Sequence, residues 1–100
     1  MVSIITINYN GFKETSELVD SLRLYEDYPY EIIVVDNNSP NGDGQRLKER
    51  FPELAIICSD RNLGFSGGNN LGYRYAKGEY ILYMNNDMTI TAPFLKTLVK

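Results

Sequence analysis

An α/β fold on a mostly parallel sheet, with helices on both faces, is what this 100-residue sequence predicts. Three observations carry that expectation. Short apolar runs alternate with amphipathic stretches in the order β-α-β-α-β-α-β-α. The runs are rich in Ile, Val and Leu, as strands covered on both faces are. Two of them stop abruptly at acid–amide clusters, Asp36-Asn37-Asn38-Ser39 and Asn85-Asn86-Asp87. Open parallel sheets bind ligands beyond the carboxyl ends of their strands.

The first strand is predicted over Val2 to Ile7, β-branched and apolar apart from Ser3 and Thr6. Asn8-Tyr9-Asn10-Gly11 is turn chemistry. Phe12, Leu18, Val19, Leu22 and Tyr25 then fall at helical spacing. Pro29 breaks that helix before a second strand at Ile32 to Val35. Residues 37–44 read as a loop, and Asp43 as the cap of a helix that ends at Phe51 before Pro52. Leu54 to Cys58 is the third strand, with Cys58 expected as a buried structural thiol. Asp60 to Gly68 reads as a glycine-rich loop, and Asn69 to Ala76 as a helix packing through Leu71, Tyr75 and Ala76. Tyr80 to Met84 is the fourth strand, and Pro93 opens a last helix. That helix reaches Lys100 without a stop signal. Residues 1–100 are therefore expected to be the N-terminal part of a single larger domain. The expected strand order is 3-2-1-4, which brings the loops after strands one, two and four to one rim.

Composition excludes several chemistries. There is no histidine and one cysteine, so Ser-His-Asp and Cys-His machinery, histidine-bound zinc and disulfide frameworks are out. Net charge is −3 and the basic residues are scattered, which argues against a nucleic-acid partner. No signal peptide or membrane span is visible in the sequence. The expected location is cytoplasmic, with the inner face of the membrane as an alternative.

Four clusters are candidates for chemistry. Asp36, after four aliphatic residues, suits a base N–H or a ribose hydroxyl, a charged hydrogen bond worth about 1.5–3 kcal/mol. As a turn former it would need no ligand. Asp87 suits a hard divalent cation beside a phosphate, with Asn85 and Asn86 next to it. The run from Asn62 to Asn70, with Gly64, Gly68 and Asn69, brings backbone close to a ligand or serves as a plain flexible loop. Tyr9 offers a ring for a base, and Asn8 and Asn10 offer amides. The other tyrosines read as core or half-buried packing. Each cluster is weak by itself, but all four lie on loops expected at one sheet edge.

The sequence resembles the opening of family 2 glycosyltransferases with the GT-A fold. The resemblance rests on Val2-Ser3-Ile4-Ile5-Thr6-Ile7-Asn8-Tyr9-Asn10-Gly11, on Glu31-Ile32-Ile33-Val34-Val35-Asp36-Asn37-Asn38-Ser39, on Asn62-Leu63-Gly64-Phe65 through Gly72, and on Gly78 through Asp87. It looks most like the rhamnosyltransferase-like branch. The resemblance implies a Rossmann-like nucleotide-sugar-binding half and transfer of a sugar from a nucleoside diphosphate to an acceptor hydroxyl, with inversion. Tyr9 and Asp36 would contact the base. Asn8, Asn10, Asn38, Gly64, Gly68, Asn69, Asn85 and Asn86 would complete the nucleotide-sugar site. Asp87 would hold Mg²⁺ or Mn²⁺. Asn85 stands where the family motif Asp-x-Asp has its first acid, which removes one charge from the metal site. The donor would be a UDP- or dTDP-sugar, and the acceptor a glycan or a lipid-linked glycan. The family's catalytic base belongs to the second half of the domain, so no catalytic residue is assigned here and the segment alone is expected to be inactive. A truncated sheet is also expected to self-associate.

Three other readings compete, one of them a purely structural α/β domain, against which the convergence of Asp36, Asp87 and the glycine-rich segment argues. A non-catalytic nucleotide-sugar-binding module needs the same clusters and no base. A nucleotidyltransferase would carry a basic glycine-rich phosphate loop after strand one, where Asn8-Tyr9-Asn10-Gly11 stands instead.

Overall fold

The structure is a computed structural model that describes residues 1–99. Its elements are β1 (Val2–Asn8), α1 (Phe12–Tyr25), β2 (Tyr30–Asp36), α2 (Asp43–Arg50), β3 (Ala55–Cys58), α3 (Gly64–Tyr73), β4 (Tyr80–Tyr83) and α4 (Leu95–Leu98). The sheet has the order β3-β2-β1-β4 and every pairing is parallel. This is the expected fold and strand order. In register, Asn8 lies beside Asp36 and Ile5 beside Tyr83, so the carboxyl ends of β1, β2 and β4 form one rim.

Two helices cover one face. On α1, Thr15, Leu18, Val19 and Leu22 form a buried stripe at helical spacing. Leu18, Val19 and Leu22 join Val2, Ile4, Ile32, Val34, Leu47, Phe51 and Ile56 in the main core. Each fully buried aliphatic side chain there contributes about 1.5–3 kcal/mol. Ser3 is one of the buried polar residues of β1. Its hydroxyl donates to Glu31 Oε2 at 2.6 Å and accepts from Gly78 N at 2.8 Å, tying the approach to β4 to the amino edge of the sheet.

The opposite face is covered by α3, and here the expectation fails. The helix starts at Gly64, five residues before the predicted start, so the glycine-rich loop is largely helical. Its packing side is Gly68 and Gly72; Tyr75 is exposed beyond the helix end. A Cβ at Gly72 would sit 2.7 Å from Ile5 Cγ2, and one at Gly68 2.7 Å from Ile7 Cδ1. Glycine interiors disfavour helix, but here they let helix backbone lie directly on β1 and β2. Propensity pointed to a loop, and tertiary packing overrides it.

Four smaller corrections follow. Cys58 is exposed, because it ends β3 at the side of the sheet. Asp43 is not a cap: Gly42 occupies that position, and the Asp43 side chain turns inward to another partner. Tyr25, Tyr73, Tyr75, Tyr80 and Tyr83 are exposed, not core, because most lie around α3 and β4, where one helix is the whole cover. The last helix is short, Leu95–Leu98, and its expected end at Lys100 lies outside the described residues. No helix among the described residues is long and apolar enough to cross a membrane.

Candidate functional site

The rim carries a cleft of about 250 Å³ between the ends of β1 and β4 and the start of α3. Ile7, Tyr9, Phe65, Met84, Asn85, Asn86 and Asp87 line it. In this sheet β1 pairs with β2 on one side and β4 on the other, so the cleft lies at the point where strand order reverses. That is where open α/β sheets bind ligands. Tyr9, Phe65, Asn85 and Asp87 are exposed. The cleft thus presents two aromatic faces, an amide and a carboxylate. Apolar walls with a few polar groups are the usual make-up of a small-molecule site.

Below the rim lies a buried polar cluster. Asn8 is fully enclosed and Asp36 is 4% exposed. Asn8 Nδ2 donates to Asp36 Oδ1 at 2.9 Å and to Asp43 Oδ2 at 3.0 Å. Asp36 Oδ1 also accepts from Ser39 Oγ at 2.6 Å, and Asp36 Oδ2 accepts from Ser39 N at 3.2 Å. Ser39 Oγ in turn accepts from Asn10 N at 3.0 Å, which pins the turn after β1. Asn10 and Asn38 both adopt left-handed backbone, φ 53° and 62°, a conformation Asn tolerates better than most residues. These bonds give rigid footing to the two loops that leave β1 and β2.

The structure brings some of the expected residues together and separates others. Tyr9, Asn85, Asn86 and Asp87 share the cleft. Asn8 and Asp36 lie beneath it. Asn10 lines a neighbouring hollow of about 260 Å³ with Phe12, Lys13, Glu14, Asn41, Asp43 and Arg46. Gly68 faces Ile7, which lines the cleft, and Asn37 just after β2, and does not itself line the cleft. Gly64 starts α3, and its carbonyl accepts from Asn37 Nδ2 at 3.0 Å. Asn69 is half-buried further along that helix, and Asn38 is exposed.

Sequence reasoning missed Thr15, Asn37, Ser39 and Phe65. Asn37 is 3% exposed and clasps the start of α3, also accepting from Leu63 N at 3.2 Å. Thr15 did carry a signal: it is a polar residue on an otherwise apolar stripe with Leu18, Val19 and Leu22. Phe65 sat inside a presumed loop, where no packing face is defined.

The loop after Asp87 is anchored on α1. Ile90 N donates to Ser21 Oγ at 3.0 Å, and Phe94 N donates to the buried Glu26 carboxylate at 3.1 Å. Among the described residues no group of three or more acidic or cysteine side chains stands ready for a metal ion. Asp87 is a lone exposed carboxylate. It fits a cation of the Mg²⁺ type, which takes one or two carboxylates and completes its shell with phosphate oxygens and water. It does not fit an all-protein cage.

Comparison with known proteins agrees with this geometry. Residues 3–100 match the glycosyl transferase family 2 model. An uncharacterized glycosyltransferase of Bacillus subtilis, YwdF, is 30% identical over 101 residues, covering 99% of this chain and 37% of that protein. The crystal structure of S. aureus TarS 1-349 in complex with UDP superposes with a TM-score of 0.83 at 28% identity, over 98% of this chain and 30% of that one. The mannosyltransferase PcManGT from Pyrobaculum calidifontis, in complex with GDP-Man and Mn²⁺, gives 0.70 at 29% identity over 86% of this chain and 27% of that one. The chain therefore spans 27–37% of the length of these proteins. Its parallel α/β architecture is that of the GT-A glycosyltransferases, and the chain belongs to glycosyl transferase family 2.

Proposed function

We propose that this chain forms the donor-nucleotide half of an inverting glycosyltransferase, which moves a sugar from a nucleoside diphosphate to an acceptor hydroxyl. The observation that carries the proposal is the cleft at the reversal of strand order, framed by the Tyr9 and Phe65 rings and closed by Asn85, Asn86 and Asp87. At about 250 Å³ it is smaller than the ~300–1,000 Å³ of a complete ligand site. It suits part of a donor molecule.

Each residue has an assigned task. Tyr9 packs against the base, and Phe65 walls the opposite side. Asp36 accepts a base N–H through its less occupied oxygen, Oδ2. Asn8 acts through Asp36, because every polar atom of its side chain is already bonded. Asp87 holds Mg²⁺ or Mn²⁺ against the diphosphate, and Asn85 lies toward the ribose and sugar. When bound, the cation neutralises charge that develops on the departing diphosphate. The Mn²⁺ and nucleotide ligands of the two structural relatives support this assignment. The Asn85-Asn86-Asp87 motif supports the rhamnosyltransferase-like branch, with a glycan or lipid-linked acceptor. No residue of this chain is assigned as the catalytic base, so residues 1–100 alone are expected to show no transfer.

Calorimetric titration of the full-length protein with UDP and dTDP, with and without Mn²⁺, tests the assignment beside Asp87→Ala. Binding that needs the cation and disappears in the variant is expected. Absence of binding to either nucleotide in the wild type would remove the donor-site reading.

A further inference from the structure

The two acid–amide clusters are joined below the cleft by one hydroxyl group. Thr15, in the first turn of α1, is fully buried. Its Oγ1 donates to Asn8 Oδ1 at 2.6 Å and accepts from Asn86 Nδ2 at 3.0 Å. A helical threonine often turns its hydroxyl back to the carbonyl one turn earlier. This one instead links side chains from the ends of two different strands.

Chemistry fixes the direction of this chain of bonds. A carboxylate oxygen accepts from an amide NH₂. Asn8 therefore presents its amine side to Asp36 and Asp43. Its carbonyl side then needs a donor, and the Thr15 hydroxyl is that donor. With its proton committed, Thr15 has only lone pairs left for Asn86. Asn86 must turn its own amine side inward, which leaves Oδ1 as its free atom beside the cleft. Gly11 keeps the route open, because a Cβ there would lie 2.6 Å from Asn86 Nδ2.

We propose that Thr15 is a positioning residue of the donor site: its hydroxyl sets Asn86 to offer an acceptor oxygen beside Asp87, and locks that orientation to the Asn8–Asp36 pair. This rests on the donor-site reading above. An acceptor oxygen next to a carboxylate favours a cation or a sugar hydroxyl, and disfavours a bare phosphate oxygen. The base side and the cation side of the site are then set as one unit. Coupling between sites of this kind typically changes affinity by about 5–150-fold.

The test uses the full-length protein in three forms: wild type, Thr15→Val, which keeps shape and removes the hydroxyl, and Thr15→Ser, which keeps the hydroxyl. UDP or dTDP, whichever the wild type binds, is titrated with and without Mn²⁺, and the ratio of the two affinities is the readout. We expect the cation's enhancement to fall by about fivefold or more in the valine variant and to return with serine. The Asn86 side-chain NH₂ resonances, followed by NMR without ligand, should shift in Thr15→Val and stay in place in Thr15→Ser. If Thr15→Val does not fold, Gly11→Ala displaces the Asn86 amide while leaving Thr15 and Asn8 intact, and the same loss is expected. A folded variant with wild-type enhancement and unmoved Asn86 resonances overturns the positioning role. A wild type that binds neither UDP nor dTDP removes the donor-site reading and the role with it, and differs from the first failure in that no variant is needed to see it.

Discussion

Two buried polar residues of β1 behave in opposite ways. Asn8 makes hydrogen bonds to Asp36, Asp43 and Thr15. Thr6, two residues earlier, is equally buried, and its hydroxyl has no partner among the described residues. A buried polar group is neutral or favourable only when bonded, and leaving its partners unpaired costs about 1–3 kcal/mol for each group. Asn8→Ala leaves the Thr15 donor and Asp43 Oδ2 unpaired and removes one of the bonds to Asp36, which keeps those from Ser39, so a loss of about 2 kcal/mol or more is expected. Thr6→Val removes an unbonded hydroxyl at constant shape, so stability should stay level or rise by about 1 kcal/mol. Urea unfolding of both variants separates the cases, and a Thr6→Val protein as damaged as Asn8→Ala would show that Thr6 has a partner after all. The placement of Asp36 and Asp87 at the rim was legible from the apolar runs before them. The depth of Asn8 was not, because a turn-forming Asn-Tyr-Asn-Gly sequence looks solvent-exposed whatever lies beneath it.

At the scale of elements, α3 is the informative case. Its sequence, Gly-Phe-Ser-Gly-Gly-Asn-Asn-Leu-Gly-Tyr, is poor in helix formers, yet it forms a ten-residue helix. The compensation is contact: without side chains at Gly68 and Gly72, helix backbone rests on Ile5, Ile7 and Val35. Gly72→Ala tests which effect is larger. Helix propensity favours alanine by about 1 kcal/mol. Against that, the new Cβ would meet Ile5 Cγ2 at 2.7 Å and Val35 Cγ2 at 3.0 Å, and overpacking costs about 1–3 kcal/mol. These neighbours are branched side chains in the middle of the sheet with little room to yield, so a net loss of about 1–2 kcal/mol is expected. A more stable alanine variant in thermal melting would show that α3 can lift away from the sheet at little cost. The shift matters for function, since α3 carries Phe65 into the cleft.

Over the whole molecule the two faces of the sheet are unequal. One has α1, α2 and a continuous core. Among the described residues the other has α3 alone, with Phe65, Tyr73, Tyr75 and Tyr83 exposed around it and β4. The outer strands β3 and β4 are each paired on one side within this chain. Their sequences, Ala-Ile-Ile-Cys and Tyr-Ile-Leu-Tyr, contain no charge, proline or bulge to discourage further pairing. Residues 1–100 as an isolated polypeptide should therefore self-associate, seen as a sedimentation coefficient that rises with concentration. A clean monomer across the micromolar range would count against it.

The sequence by itself determined the parallel α/β fold, the strand order and the two loops that carry Asp36 and Asp87. Those follow from local signals: apolar runs of strand length, helical spacing on α1, and polar residues placed abruptly at strand ends. Only the tertiary structure decided that the glycine-rich segment is helix, that Cys58 is exposed, and that Thr15 stands between Asn8 and Asn86. Each of these depends on what a residue meets across the fold. Neither the approach of α3 backbone to Ile5 nor the meeting of a helix hydroxyl with two strand-end amides leaves a periodic trace along the chain.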